Sequence, residues 1–194
     1  MTNLKMEKIG IQKKQGSVVE ILKHEILLGN IESGTEMTQN ELATSLGVSR
    51  MPVREALILL EYQGLVDRLP NNHVRVSQLS ETYFQKIFEL CIQIEEDAFL
   101  YAIKEKDEFP EEEMNFHRFL YEDYPYSFQK KSLETMVEIY LSFAVNSYSY
   151  KKENWTNLLK VLKDFKKDQD QRALHNALEQ YYEGVLKTIM KERA

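Results

Sequence analysis

The chain has 194 residues, 43% of them hydrophobic and 11% aromatic, enough for one large or two small packed domains and too apolar for a disordered segment. A single cysteine, Cys91, excludes an intrachain disulfide framework and suits a reducing cytoplasm. No stretch is long and apolar enough to span a bilayer, and the lysine-dotted start lacks the apolar core of a signal peptide, so a soluble cytoplasmic protein is expected. The net charge of −6 is unevenly placed. Residues 1–78 carry nine Lys/Arg and nine Asp/Glu, which leaves 16 basic and 22 acidic residues, and the whole acidic surplus, to the rest. The first segment is thus free to approach phosphates.

In chain order, residues 1–15 are polar and aperiodic, a flexible lead-in. Val18, Ile21, Leu22 and Ile26 have helical spacing and predict a first helix from Ser17 to Leu28, in which His24 is an ordinary helix residue. Thr38 followed by Glu41 is a capping box, and the short helix it starts ends at Gly47. Val48 is expected to plug the following turn. Ser49 then caps a second helix with Pro52 in its first turn. There Val53, Ala56, Leu57 and Leu60 form one stripe, while Arg50 and Arg54 share another face. Two short helices joined by a glycine turn, the second basic at its start, match a DNA-binding helix-turn-helix. Gly64 ends the second helix. Leu65–Val66 and Val74–Val76 flank the turn Pro70-Asn71-Asn72, a hairpin where a winged helix carries its wing.

These residues carry a resemblance. ELATSLGVSRMPVREALILLEYQGLV resembles the N-terminal domain of the GntR family of bacterial transcription regulators, and the segment Ile26 to Gly34 is similar to the family's I-x-x-G-x-x-x-PG stretch. Ser33 stands where that stretch has proline, so the turn lacks a ring-fixed φ. The resemblance implies a winged helix-turn-helix over 1–78. Arg50 and Arg54 would read guanine edges in the major groove, with Thr38 and Ser49 on phosphates. Pro52 belongs to the same contact segment, and Asn72 and His73 sit at a wing tip where Arg-Gly is usual. The bland alternative is that Arg50 and Arg54 are simply solvated.

Beyond Ser80 the pattern is helical, with Gly184 the one glycine after Gly64. Helices are predicted over 81–105, 110–122, 127–149, 153–166 and 170–192. The expected fold class is mainly α: a winged helix-turn-helix (1–78), then an all-α bundle (79–194). That bundle is similar to the FCD class of effector-binding and dimerisation domains in the FadR subfamily, though compact for it.

Glu113 and His117, at i and i+4, lie on one helix face and can share a metal ion. In the FCD class a D-x-x-x-H pair begins a metal site completed by later histidines. Phe116-His117-x-x-Leu120 resembles that stretch, with Glu113 for the aspartate. The expected later positions hold Trp155 and Gln180 or Tyr181, and His175 is the remaining histidine, earlier in its helix than expected. A divalent metal is therefore a possible cofactor with an incomplete ligand set, the alternative being a hydrogen-bonded Glu–His pair. Cys91 stands where the class commonly has a carboxylate-holding arginine, which disfavours an organic-acid effector. Cys91 itself reads as a small buried hydrophobe, and a redox role has no basic neighbour in sequence to support it. Phe99, Tyr101, Phe116, Phe119, Tyr140, Phe143, Tyr148 and Trp155 read as core, some of them able to line an apolar effector pocket. No Ser/His/Asp order, Gly-rich phosphate loop or Cys-rich zinc motif appears, so an enzyme is not expected. The implied partners are a two-fold operator in double-stranded DNA, a second copy of the chain and a small effector. The competing reading makes the helical domain an effector-free dimerisation or protein-interaction module.

Overall fold

The computed structural model describes residues 17–70 and 73–194, and the chain divides into two compact units, Met1–Leu79 and Ser80–Ala194. The expected lead-in over residues 1–15 lies outside the described residues.

The first unit begins with α1 (Val18–Leu28), capped by the Ser17 hydroxyl, which accepts from the Glu20 amide, and closed by Gly29 in the left-handed region. Its buried residues Leu22, Ile26 and Leu27 pack towards α3. The strand β1 (Glu36–Met37) leads into α2 (Gln39–Leu46), where Thr38 and Glu41 form the reciprocal capping box. Gly47 ends α2 at φ 65°, and an added Cβ would meet nothing within 4 Å. Backbone conformation, not space, therefore demands glycine there. Val48 does not plug this turn. It stands exposed, and the turn is closed by backbone instead, with the Val48 amide donating to the Ala43 carbonyl at 3.1 Å.

Helix α3 (Arg50–Tyr62) buries Val53, Ala56, Leu57 and Leu60, the stripe read from the sequence. The hairpin of β2 (Val66–Arg68) and β3 (Val74–Val76) follows. β3 is the middle strand of a three-stranded antiparallel sheet in the order β1-β3-β2, with Glu36 opposite Arg75 and Asp67 also opposite Arg75. The sequence reading missed β1, because two residues show no alternation. Ser33, the residue in place of proline, has a use: its hydroxyl accepts from the Leu79 amide at 3.1 Å.

The second unit is all helical. α4 (Glu81–Glu105) buries Phe84, Phe88, Cys91, Glu95, Ala98 and Ala102, one stripe at alternating steps of four and three. It packs against α5 (Glu113–Glu122), α6 (Ser127–Met136) and α9 (Gln171–Glu192). α6 runs through a π-helical turn, Val137–Leu141, into α7 (Ser142–Val145), so the helix predicted to reach residue 149 ends four residues early and carries a widened turn. Tyr148, expected in the core, is exposed. α8 (Glu153–Asp168) lies against α9, and a Cβ on Gly184 would come 2.0 Å from Asn154 Nδ2. The Asn154 amide thus occupies the space that a side chain at residue 184 would need.

Candidate nucleic-acid interface and a buried polar cluster

α3 offers Arg50 and Arg54 to solvent, one turn apart at its start. Among the described residues neither is held by a carboxylate. The other arginines of the unit differ: Arg68 is bound to Glu61, at 2.8 Å from Nη2 and 2.9 Å from Nε, and Arg75 faces Asp67 at 4.0 Å. Arg50 and Arg54 therefore have no ion pair among the described residues, whereas Arg68 is paired and Arg75 stands at the limit of pairing distance. Ser49 is the N-cap residue of α3 by position, yet its side chain makes no capping hydrogen bond. Its hydroxyl and the first amides of α3 point out of an open helix start, the arrangement that takes a phosphate oxygen. Pro52 is half-buried in that first turn, where its missing N–H costs no helical bond.

Thr38 is less suited to the phosphate role expected of it. Its amide donates to Glu41 Oε2 at 2.8 Å, and its hydroxyl accepts from the Glu41 amide at 3.1 Å. The Glu41 carboxyl, its pKa lowered by that hydrogen bond to Thr38, puts negative charge where a phosphate would sit. Only the Thr38 hydroxyl proton remains to be offered. His73 is half-buried just before β3, near the Glu41 charge. Asn72 lies outside the described residues.

The helical unit holds a second arrangement. His117 and Glu95 are both fully buried, with His117 Nδ1 2.6 Å from Glu95 Oε1. On its other side His117 Nε2 lies 3.1 Å from the Tyr181 hydroxyl, which donates to Glu113 Oε1 at 2.7 Å. Tyr150 donates to the same Glu113 oxygen. The Tyr181 ring stacks on His117, and Trp155 lies 5.8 Å from it by ring centroid. Cys91, one turn before Glu95, donates its thiol to the Tyr182 hydroxyl at 3.0 Å. Burial pushes the Cys91 thiol well up, and the Glu95 charge adds to it. This is no reactive thiolate.

Glu113 and His117 thus meet as their spacing predicted, but His175 does not join them. His175 is half-exposed and bound to Glu96 at 2.9 Å, with Glu179 at 3.5 Å. Its early place in α9 puts it two turns away from the Tyr181 level. Among the described residues no three His, Cys, Asp or Glu side chains are grouped to hold a metal ion. The donor set that a divalent metal needs does not fit here, since a phenol lies between the carboxylate and the imidazole. Sequence reasoning missed Glu95 and Tyr150. A carboxylate on the otherwise apolar stripe of α4 was the signal available for Glu95.

The family model described as bacterial regulatory proteins, gntR family, matches residues 14–76. The amino-terminal domain is a GntR-family domain. Over 87 residues, 45% of this chain, the sequence is 36% identical to the HTH-type transcriptional regulator YdhC of Bacillus subtilis. Over 83 residues, 43% of this chain, it is 35% identical to the gluconate operon transcriptional repressor of the same organism. These matches span 39% and 34% of the two relatives' own lengths. Both relatives are transcription regulators by name.

Among solved structures, Escherichia coli McbR/YncC aligns over 91% of this chain and 97% of its own, with a TM-score of 0.55 and 20% identity. A GntR transcriptional regulator from Rhodococcus sp. RHA1 aligns over 90% of this chain and 96% of its own, with a TM-score of 0.51 and 16% identity. At such identities the likeness is one of fold, and it extends through the helical unit. Among the described residues no helix is long and apolar enough to cross a membrane.

Proposed function

We propose that this chain is a sequence-specific DNA-binding transcription regulator of the cytoplasm, a homodimeric repressor acting on a two-fold operator in double-stranded DNA. The observation that carries this reading is the pair Arg50 and Arg54, exposed and free of carboxylates at the start of α3, in a GntR-family domain. Each guanidinium can bind O6 and N7 of a guanine with two parallel hydrogen bonds. Ser49 and the open start of α3 bind phosphate and set the register, and Pro52 shapes that turn. The wing tip, Asn72 and His73, adds hydrogen-bond donors at the flank of the site. Dimerisation supplies the second half-site that a single helix lacks. The helical unit, read as FCD-like, would hold the dimer and respond to a small effector by changing the distance between two recognition helices.

A specific observation supports a second reading of the helical unit. In its polar cluster Glu113, His117, Tyr150 and Tyr181 bond to one another, while the second oxygen of the buried Glu95 has no partner, and Cys91 occupies the arginine position of the class. That favours an effector-free dimerisation or protein-interaction module over a carboxylate sensor.

Selection from random duplex DNA with the purified full chain, followed by anisotropy titration at fixed salt, tests the main reading. The expected result is a palindromic site whose half-sites lie about one helical turn, or a multiple of it, apart. No sequence enrichment, or a bound monomer, would refute it. Operator affinity unmoved by a metabolite panel, with a copurifying protein, would select the second reading of the helical unit.

A further inference from the structure

We infer that the Tyr181 phenol takes the position a divalent metal would occupy between Glu113 and His117, so that this site is run by hydrogen bonds alone. The inference goes beyond DNA recognition and does not depend on it. A metal shared by a carboxylate and an imidazole sits roughly 2.0–2.2 Å from each ligand atom. In this unit the atom between them is the Tyr181 oxygen, 2.7 Å from Glu113 Oε1 and 3.1 Å from His117 Nε2. An ion and a phenol oxygen cannot share that volume.

The hydrogen bonds around His117 give a second reason. Tyr181 donates its one proton to Glu113, and its oxygen lies within hydrogen-bond distance of His117 Nε2. His117 Nδ1 is hydrogen-bonded to Glu95 on the opposite side. Both ring nitrogens of His117 are thus engaged, Nδ1 by Glu95 and Nε2 by Tyr181, and a metal would have to break one of these contacts to reach the ring. Trp155, at the other expected ligand position, gives its indole N–H to the Glu111 carbonyl at 3.1 Å and brings only a ring face to His117. Tyr150 supplies Glu113 with a further donor.

Side-chain length then makes a positive prediction. An imidazole in place of the Tyr181 phenol would end short of the present oxygen by about the length of a Zn–N bond, roughly 2 Å. Tyr181→His would vacate the space between Glu113 and His117 and present a third ligand towards it. A site closed by hydrogen bonds would become a site for a metal.

The full chain is dialysed against chelator, then titrated with zinc or nickel chloride by calorimetry and followed by thermal melting. Wild type is expected to take no metal into this site and to melt unchanged. Tyr181→His is expected to bind about one equivalent and to melt several degrees higher at saturating metal, a gain abolished by adding His117→Gln. Stoichiometric binding by wild type that His117→Gln removes would overturn the inference. So would a Tyr181→His protein with native circular dichroism that binds nothing. Should Tyr181→His fail to fold, wild type against His117→Gln still decides, because only a wild-type metal site would be lost with His117.

Discussion

Tyr181 stacks on His117, with ring centroids 5.3 Å apart and planes 22° from parallel, and its hydroxyl bridges the imidazole to Glu113. One side chain on α9 thereby links α5 to itself by both ring and oxygen, while the other imidazole nitrogen ties α5 to α4. Tyr181→Phe keeps the ring and removes the oxygen. His117 Nε2 and Glu113 then each lose a hydrogen-bond partner, both in the interior. The expected cost is about 1–3 kcal/mol. Urea denaturation of the full chain measures it, and an unchanged midpoint would mean that the phenol hydroxyl contributes nothing net.

Replacing Arg50 or Arg54 by alanine should leave folding intact, since both side chains are exposed and unpaired. Each loss should weaken operator binding by about 1–3 kcal/mol and relax preference at the base it contacts. Competition between operator and scrambled duplex reports the preference separately from general phosphate attraction. Operator affinity unchanged in both single variants would remove α3 from the reading of bases.

Cys91 should resist thiol reagents in the folded protein. Its sulfur is buried, its thiol is held up by desolvation and then by the Glu95 charge, and its hydrogen is given to Tyr182. Reaction with an aromatic disulfide at mildly alkaline pH should proceed only as fast as the helical unit opens. Rapid labelling without denaturant would contradict this, and would restore the redox-sensing role.

His175 gives the helical unit a small dependence on pH. Its pKa is raised above the ordinary 6.5, first by the hydrogen bond to Glu96 and further by the charges of Glu96 and Glu179. A raised folded pKa means that the charged imidazole stabilises the fold fully below 6.5, and that this contribution is lost as pH rises through the higher folded value. The side chain is 44% exposed, so solvent screening keeps the effect small. The urea midpoint of wild type should fall slightly across that window relative to His175→Ala. Parallel pH curves for the two proteins would show that the Glu96 contact is not formed in solution.

The sequence made legible those features that are local. The Thr38–Glu41 box, the Gly47 stop, the buried stripe of α3 and both ends of α4 follow from spacing and capping chemistry within a few residues. The adjacency of Glu113 and His117 is local as well, one turn of α5. What closes the cluster is not. Glu95 stands 22 residues before His117 and Tyr181 stands 64 after it, and only packing of α4, α5 and α9 brings them together. The π-helical turn after Met136 was hidden for a related reason. An extra residue in one turn leaves no mark when its surroundings, Val137, Ile139, Tyr140 and Leu141, are buried on every side. Val48 was misjudged because an apolar residue in a turn looks like a plug, whereas backbone hydrogen bonds already close that turn.

The missing side chain at Gly184 has a bearing on all of this. Asn154, whose amide lies where a Cβ at residue 184 would be, immediately precedes Trp155, and residue 184 is three positions on from Tyr181. The contact of Asn154 with Gly184 therefore falls within a turn of the rings around His117, where Trp155 and Tyr181 lie 6.3 Å apart. A single methyl group there would evict the Asn154 amide from its place against α9, so the side chain next to Trp155 owes its position to an atom that residue 184 does not contain.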